Sequence, residues 1–326
     1  MSTPSRTAPP CNIARASDAS TMNLAVQILA NDGLVAIPTE TVYGLGAAIN
    51  NEVAIAKIFE VKGRPQNHPL IVHLAHIDQL HLAAHNIHPD AIKLAHACWP
   101  GPLTLLLQRS ENVSMSITGG RDTVAVRIPD NAFTRQLIIN LGSPIAAPSA
   151  NRFGKVSPTT AQHVCDDLQN DVDLIVDDGA SSIGVESTII DFSVAPPQLL
   201  RPGGIPIEDI EQILGYTIRD TDGISRASGM LQNHYQPSCN VLLVHTDQEA
   251  QQLKVSLVSQ YQRVRILNRC DNLPLFATLL YSDLRQSDTD RIEVLIAVLP
   301  ENKGLGAAIC DRLTKAAGSG TTLPAS

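Results

Sequence analysis

From residue 240 onward the chain alternates apolar runs with helical periods. Strands are expected over 240–245, 263–268 and 292–298, and helices over 247–260, 271–286 and 304–316. Strands that are each separated by a helix have no hairpin to pair through, so they lie parallel with helical crossovers. This pattern predicts a small Rossmann-like parallel α/β domain over 239–317. The preceding residues do not alternate in this way, and a chain of 326 residues is long enough for a second core.

In that longer part, "STMNLAVQILANDG" predicts a helix in which Leu24, Ile28 and Leu29 keep helical spacing after a Ser/Thr cap, with Gly33 as the stop. A strand follows at 34–37. A helix at 51–62 is expected to bury Val53, Ile55, Ile58 and Phe59 and to end at Gly63. The runs "PLIVHL", "LTLLL", "TVAVRI", "PIAAP", "DLIVDD", "STIIDF" and "QLLRPG" read as strands. Between them fall two short helices near 77–97, the loop "WPGP", and helices near 132–140, 159–170 and 206–215. Strands outnumber helices and the connections vary in length, which predicts an α/β domain with a twisted mixed sheet over 15–215. The polar stretch 216–238, with scattered glycine and proline, reads as a linker. Residues 1–14, rich in Ser, Thr and Pro, and 318–326 read as disordered tails.

The formal net charge of −8 argues against a generalised nucleic-acid or membrane surface, while leaving room for a local basic patch. Six cysteines lie far apart with no CxxC pair, a pattern that fits scattered thiols in a reducing compartment better than a disulfide framework or a zinc site. The opening "MSTPSRTAPP" lacks an apolar signal region, and no apolar run is long enough for a membrane span. A cytoplasmic protein is expected.

Several polar positions sit where a core would not place them. Period two in "TVAVRI" sets Val124, Val126 and Ile128 on one face and Thr123, Ala125 and Arg127 on the other. An arginine on a mid-sheet strand needs a partner, either a structural ion pair or a carboxylate or phosphate ligand. His73, between Val72 and Leu74, is either a hydrogen-bonded core histidine or a ligand contact. The loop "KGRPQNHP" clusters Lys62, Arg64 and His68, which suits phosphate and equally a solvated turn. In "APSANRFGKVSPTTAQ" the "SPTT" cap places Ser157 beside free helix N–H groups, as in many capped loops. "GVESTIIDF" opens a strand on hydroxyls, and "LLRPGG" puts Arg201 at a strand end. Together these small, polar and cationic positions describe a pocket for a polyanion and a small polar molecule. No GxxxxGK[ST] loop occurs, and "GLGAAI", present at 44–49 and 304–309, lacks the last glycine of a dinucleotide fingerprint.

Taken in order, "PTETVYGLG", "KGRPQNHPLIVH", "WPGPLT", "VAVRIP", "APSAN", "ESTIID" and "RPG" closely resemble the YrdC-like threonylcarbamoyl-AMP synthases across about 20–205. "SGMLQNHYQP" and the alternating last third resemble the long, two-domain form. The resemblance implies a twisted α/β domain with a concave, positively charged cavity. It also implies an enzyme, a nucleotidyltransferase, that condenses L-threonine, bicarbonate and ATP, with Mg2+, into threonylcarbamoyl-AMP and pyrophosphate. The product would feed a separate threonylcarbamoyl transferase complex that modifies tRNA next to the anticodon. Carried onto this chain, the resemblance implies that Thr41, His73, Arg127, Ala147 and Ser187 hold threonine. It assigns Arg64, His68, Thr123, Ser149, Ser157 and Arg201 to ATP, with Lys62 and Asn151 near the phosphates. Lys62, Arg64 and Arg127 are the implied catalytic residues, with Arg127 pairing the threonine carboxylate and Lys62, Arg64 and Arg201 offsetting charge on the phosphates, and no protein metal ligand is implied. In the long form the linker folds over the cavity, which would bring Tyr235 to the nucleotide. Here "ASGMLQNHYQPS" departs from the family's "HYAP" linker by lacking the preceding proline and basic residues, which bears on the linker's phosphate contacts.

Three other readings compete. A double-stranded RNA-binding module would use the same concave surface, but the negative charge and lack of a basic stripe reduce it to weak RNA binding. Carbamoyl chemistry of the hydrogenase-maturation kind comes with zinc-type cysteine pairs, which this sequence lacks. A regulatory homologue without catalysis is disfavoured by intact Lys62, Arg64, Arg127, Ser149, Asn151 and Ser187.

Overall fold

The computed structural model describes residues 11–221 and 235–318, so most of the expected linker, and both chain ends, lie outside the described residues. A twelve-stranded mixed sheet organises the first part. Along its length run Ile13–Arg15, Leu174–Asp177, Val35–Ile37, Gly44–Ala48, Ile145–Ala146, Ile71–His73, Thr123–Arg127, Leu103–Arg109, Thr188–Asp191, Gln198–Arg201 and Arg219–Asp220, and Ala84–His85 joins the side of Leu103–Arg109. The site strands sit mid-sheet: Ile71–His73 pairs in parallel with Thr123–Arg127, which sets His73 opposite Arg127. Thr188–Asp191 pairs in parallel with Leu103–Arg109, setting Ile189 opposite Thr104.

Local chemistry explains the elements. The helix Glu52–Lys62 starts at Asn51, whose side chain accepts the Ala54 N–H at 3.0 Å, and stops at Gly63 in the left-handed region, φ 61°. It buries Ile55, Ile58, Phe59 and Lys62, an i, i+3, i+4, i+7 set. Val53, expected on that face, falls outside the set and is 55% exposed. The helix Thr21–Ala30 likewise buries Thr21, Ala25 and Leu29, which turns Leu24 outward. The expected alternation in "TVAVRI" holds: Val124, Val126 and Ile128 join the main core, while Ala125 packs with Ile71, Leu106, Ile189 and Leu200 on the other face.

Two further expectations are corrected. Part of the expected tail is a strand: Ile13–Arg15 adds a parallel strand beside Leu174–Asp177. That pairing brings Cys11 to Cys165 on the helix Ala161–Leu168, and the two form a disulfide with Cα atoms 5.9 Å apart. Partners 154 residues apart leave no spacing signal, so the pair was not legible among scattered cysteines. Cys98, Cys239, Cys270 and Cys310 remain thiols.

The last third forms the expected parallel sheet, with Val294–Val298 between Asn240–Val244 and Val264–Leu267. Its helices Leu273–Thr289 and Leu305–Ala317 pack against loops of the first part as well as their own sheet. Phe276, Leu280, Tyr281, Leu284, Ile309 and Leu313 share one buried cluster with Val42, Val156, Val185 and Tyr235. Gly184 permits the approach: a Cβ there would lie 2.4 Å from the Thr278 Cα. No described helix is long and apolar enough to cross a membrane.

Candidate functional site

The segment 38–43 turns between the antiparallel strands Val35–Ile37 and Gly44–Ala48, and its hydroxyls are ordered by the turn itself. Thr39 Oγ1 donates to the Val42 carbonyl at 2.5 Å and accepts the Val42 N–H at 3.2 Å. Thr41 Oγ1 lies 2.9 Å from Thr39 Oγ1 and accepts from Arg127 Nη1 at 2.7 Å. Since the Thr39 proton is committed to Val42, the Thr41 hydroxyl donates to Thr39. Arg127 is buried, donates through Nε to the Gly101 carbonyl at 3.2 Å, and pairs through Nη2 with Glu40 at 2.5 Å. Arg127 thus makes a structural ion pair and still lines the cleft.

Beside it, His73 is buried with Nδ1 3.1 Å from the Ile71 carbonyl. Burial, reinforced by the Arg127 charge, pushes its pKa down to about 3, so the ring is neutral at pH 7. His163, partly buried near Arg285, is pushed down to about 4, again mainly by burial. A histidine depressed in the fold binds fewer protons folded than unfolded between the two pKa values. Its stabilising contribution is therefore complete above the ordinary histidine range and is lost as pH falls through it. Lowering the pH from 7 to 5 should cost roughly 2 kcal/mol through His73 alone. Urea unfolding at both pH values checks this, and His73→Gln should flatten the slope; an equal slope in parent and variant would refute the assignment.

The cationic loop divides into two roles. Arg64 lines the cleft, with Nη2 donating to the Pro69 carbonyl at 3.0 Å and its guanidinium 5.9 Å from the Phe153 ring centroid. Burial lowers its pKa to about 10, which leaves it cationic at neutral pH. His68 sits edge-on to the same ring, at 5.3 Å. Lys62 points the other way. Its Nζ donates to the Ser149 carbonyl at 2.5 Å and to the Asn151 carbonyl, and burial holds its pKa well below the usual lysine range.

The opposite wall is built on Glu186, Ser187 and Arg201. Arg201 Nε and Nη2 donate to the Ser187 carbonyl at 3.0 and 2.9 Å, and Nη2 reaches Ser187 Oγ at 3.0 Å. Ser187 Oγ also lies 2.7 Å from Thr104 Oγ1. Gly203 allows this packing, since a Cβ there would meet the Ser187 carbonyl carbon at 2.3 Å. Glu186 accepts from Ser157 Oγ at 2.7 Å, Tyr281 Oη at 2.6 Å and Arg312 Nε at 2.8 Å. Burial raises the pKa of Glu186, but Arg312, Arg201 and the Tyr281 hydrogen bond outweigh it and hold the carboxyl well below the usual range.

Of the residues expected at the site, Thr41, Arg64, His73, Arg127, Ala147, Ser149, Ser187, Arg201 and Tyr235 line one cleft. Lys62, Asn151 and Ser157 are buried behind its lining, and His68 flanks Arg64. Asn151 Nδ2 donates to the Arg152 and Lys155 carbonyls at 2.8 Å, shaping the loop from within. Thr123 lies elsewhere: it lines a surface hollow with His85, Gln108, Arg109 and Asp122. Sharing a strand face with Arg127 did not bring it to the cleft, because four residues along a strand span about 13 Å. Sequence reasoning missed Glu40, Thr104 and Glu186, although each stood inside a quoted motif, and Tyr281 and Arg312, which carried no signal.

Comparison with known proteins follows the same outline. A family model described as "Telomere recombination" matches residues 27–203, and one described as "Threonylcarbamoyl-AMP synthase, C-terminal domain" matches 205–318. The Pyrococcus abyssi threonylcarbamoyl-AMP synthase is 42% identical, covering 91% of this chain and 94% of the relative. The Bacillus subtilis protein of the same name is 40% identical over 90% and 92%. The crystal structure of P. abyssi Sua5 complexed with L-threonine superimposes with a TM-score of 0.89 at 39% identity, covering 94% of this chain and 97% of that one.

Proposed function

We propose that this chain, which belongs to the family of two-domain threonylcarbamoyl-AMP synthases, condenses L-threonine, bicarbonate and ATP into threonylcarbamoyl-AMP and pyrophosphate. The observation that carries the proposal is the convergence of Thr41, Arg64, His73, Arg127, Ser187 and Arg201 on one cleft, in a chain so similar to synthases along its length.

On this reading Thr41, His73, Arg127, Ala147 and Ser187 hold L-threonine, with Arg127 facing its carboxylate. Arg64, His68, Ser149, Arg201 and Tyr235 serve ATP, and Lys62, Asn151 and Ser157 shape the loop beneath it. Thr123 stands outside the assignment. The threonine amine combines with bicarbonate to give a carbamate, losing water. A carbamate oxygen then attacks the α-phosphorus while the bond to pyrophosphate breaks, which makes the enzyme a nucleotidyltransferase. No protein nucleophile is needed, so positioning and charge neutralisation dominate, as in other phosphoryl chemistry.

The fit for magnesium is indirect. Among the described residues no group of three His, Cys, Asp or Glu side chains could hold a metal; Glu186 in the cleft lining and Glu40 behind Arg127 are each engaged by an arginine. That donor set suits a cation carried on the nucleotide phosphates. When bound there, magnesium neutralises phosphate charge, while Arg64 and Arg201 do so from the protein side.

Of the expected cover 216–238, residues 222–234 lie outside the described residues; Tyr235, at its far end, lines the cleft and is assigned to the nucleotide. The product passes to a threonylcarbamoyl transferase complex acting on tRNA, which places the work in the cytoplasm. Direct RNA affinity is at most weak and falls with salt.

The test is pyrophosphate release from ATP and bicarbonate with L-threonine, L-serine or no amino acid. Release should require an amino acid and favour threonine over serine by the ~1–3 kcal/mol that one methyl supplies. A folded protein that releases no pyrophosphate with magnesium and threonine present would overturn the proposal.

A further inference from the structure

Among the described residues, none from 239 onward lines the cleft, yet this part grips the cleft from behind. Arg312 and Tyr281 are fully buried, and both donate to Glu186 Oε2. The other oxygen of that carboxylate accepts from Ser157 Oγ. Arg312 Nη1 also donates to the Pro202 carbonyl at 2.9 Å, next to Arg201. Its guanidinium lies 5.6 Å from the ring centroid of Tyr235, and that ring stacks on Tyr281 at 5.3 Å. Arg285, on the same helix as Tyr281, donates to the Val156 carbonyl and pairs with Asp167 at 2.6 Å. In return, Glu208 of the first part accepts the Gly304 N–H at 3.1 Å, at the start of the helix that carries Arg312.

We infer that Tyr281 and Arg312 are positioning residues for the cleft, acting through Glu186 to fix Ser157, Ser187, Arg201 and Tyr235. The inference rests on the proposed synthase reading for its catalytic consequence and on geometry alone for its structural one. Glu186 is the hinge of this grip. It precedes Ser187 directly, so a carboxylate held from the far side fixes the backbone that presents the Ser187 hydroxyl and the carbonyl to which Arg201 binds. A buried carboxylate that lost one donor would turn toward those remaining, carrying this backbone with it. Pro202 and Glu186 flank the Arg201–Ser187 contact, and Arg312 touches both, so the side chain bridges the two strand ends that form this wall. Tyr281 and Arg312 do this from outside the cleft lining.

The experiment uses the full chain with Tyr281→Phe and Arg312→Lys, measured three ways. In threonine-dependent pyrophosphate release, Tyr281→Phe should lower kcat/KM about tenfold, the worth of one hydrogen bond to a buried charge. Amide hydrogen exchange of peptides spanning 186–190 and 201–204 should quicken about tenfold in both variants. Thermal unfolding should move by only a few degrees for Tyr281→Phe, and the variant should add nothing in a Glu186→Gln background if it acts through that carboxylate. A folded Tyr281→Phe protein with kcat/KM and exchange both within about twofold of the parent would overturn the inference. So would additive losses with Glu186→Gln. If Arg312→Lys fails to fold, Tyr281→Phe decides. If the parent releases no pyrophosphate, the functional reading fails, and exchange at 186–190 and 201–204 still decides whether these two side chains hold the wall.

Discussion

Replacing Arg127 with alanine is expected to lower kcat/KM for L-threonine by about three orders of magnitude or more. The side chain has no redundancy in its neighbourhood: Nη1 orients Thr41, Nη2 faces Glu40, and Nε fixes the Gly101 carbonyl. On the proposed reading its loss removes the ligand of the threonine carboxylate; in the structure it unties the Thr41 hydroxyl and leaves a buried glutamate without its cation. The last of these costs about 3–5 kcal/mol of stability, so activity must be compared with urea unfolding of the same protein. Two companions separate the effects. Arg127→Lys keeps the charge and loses the planar fork, and should retain part of the stability while losing about one to two orders of magnitude in kcat/KM. Glu40→Gln with Arg127→Met removes both charges, and should recover stability without recovering activity. Pyrophosphate release near the parent rate in a folded Arg127→Ala protein would remove Arg127 from the threonine site.

Glu40 shows why the sequence conveyed only part of this arrangement. The alternation in "TVAVRI" settles which face Arg127 takes, because period two is a local property. Whether that arginine meets a substrate or a structural partner depends on a turn 87 residues earlier, and no local pattern carries that distance. The structure gives it the structural partner and leaves it lining the cleft. The same division holds for the fold. Helix ends and strand faces were legible where capping and spacing decide them, as at Asn51 and Gly63. Helix rotation was not legible where several apolar residues competed for one face, as with Leu24 and Val53. The strand Gly44–Ala48 hid because glycine and alanine weaken its propensity; its place is set by pairing on both sides, with Val35–Ile37 and with Ile145–Ala146. The Cys11–Cys165 pairing and the grip of Arg312 on Glu186 are also products of tertiary approach, and no local pattern carries either.

Lys62 carries the other large expected effect, and its direction follows from where the ammonium points. A lysine in a phosphate-suited loop reads as a phosphate ligand, yet Nζ is buried between the Ser149 and Asn151 carbonyls, and the Lys62 carbonyl accepts the Phe153 N–H at 2.8 Å. The side chain is therefore a clamp that closes the loop 149–153 onto the end of the helix Glu52–Lys62. An amine donates to both carbonyls in either protonation state, so a depressed pKa does not release the clamp. Lys62→Met keeps the apolar stem and deletes the donors, leaving two buried carbonyls unmet at about 1–3 kcal/mol each. The loop that presents Ser149 to the cleft then loosens. KM for ATP should rise about tenfold or more while kcat at saturating ATP stays within about threefold, because the clamp shapes the site without touching the reacting atoms. A phosphate ligand would behave in the opposite way, with kcat falling by orders of magnitude. Steady-state kinetics on this one variant, with its urea midpoint, thus distinguishes a lysine that builds the pocket from one that acts inside it.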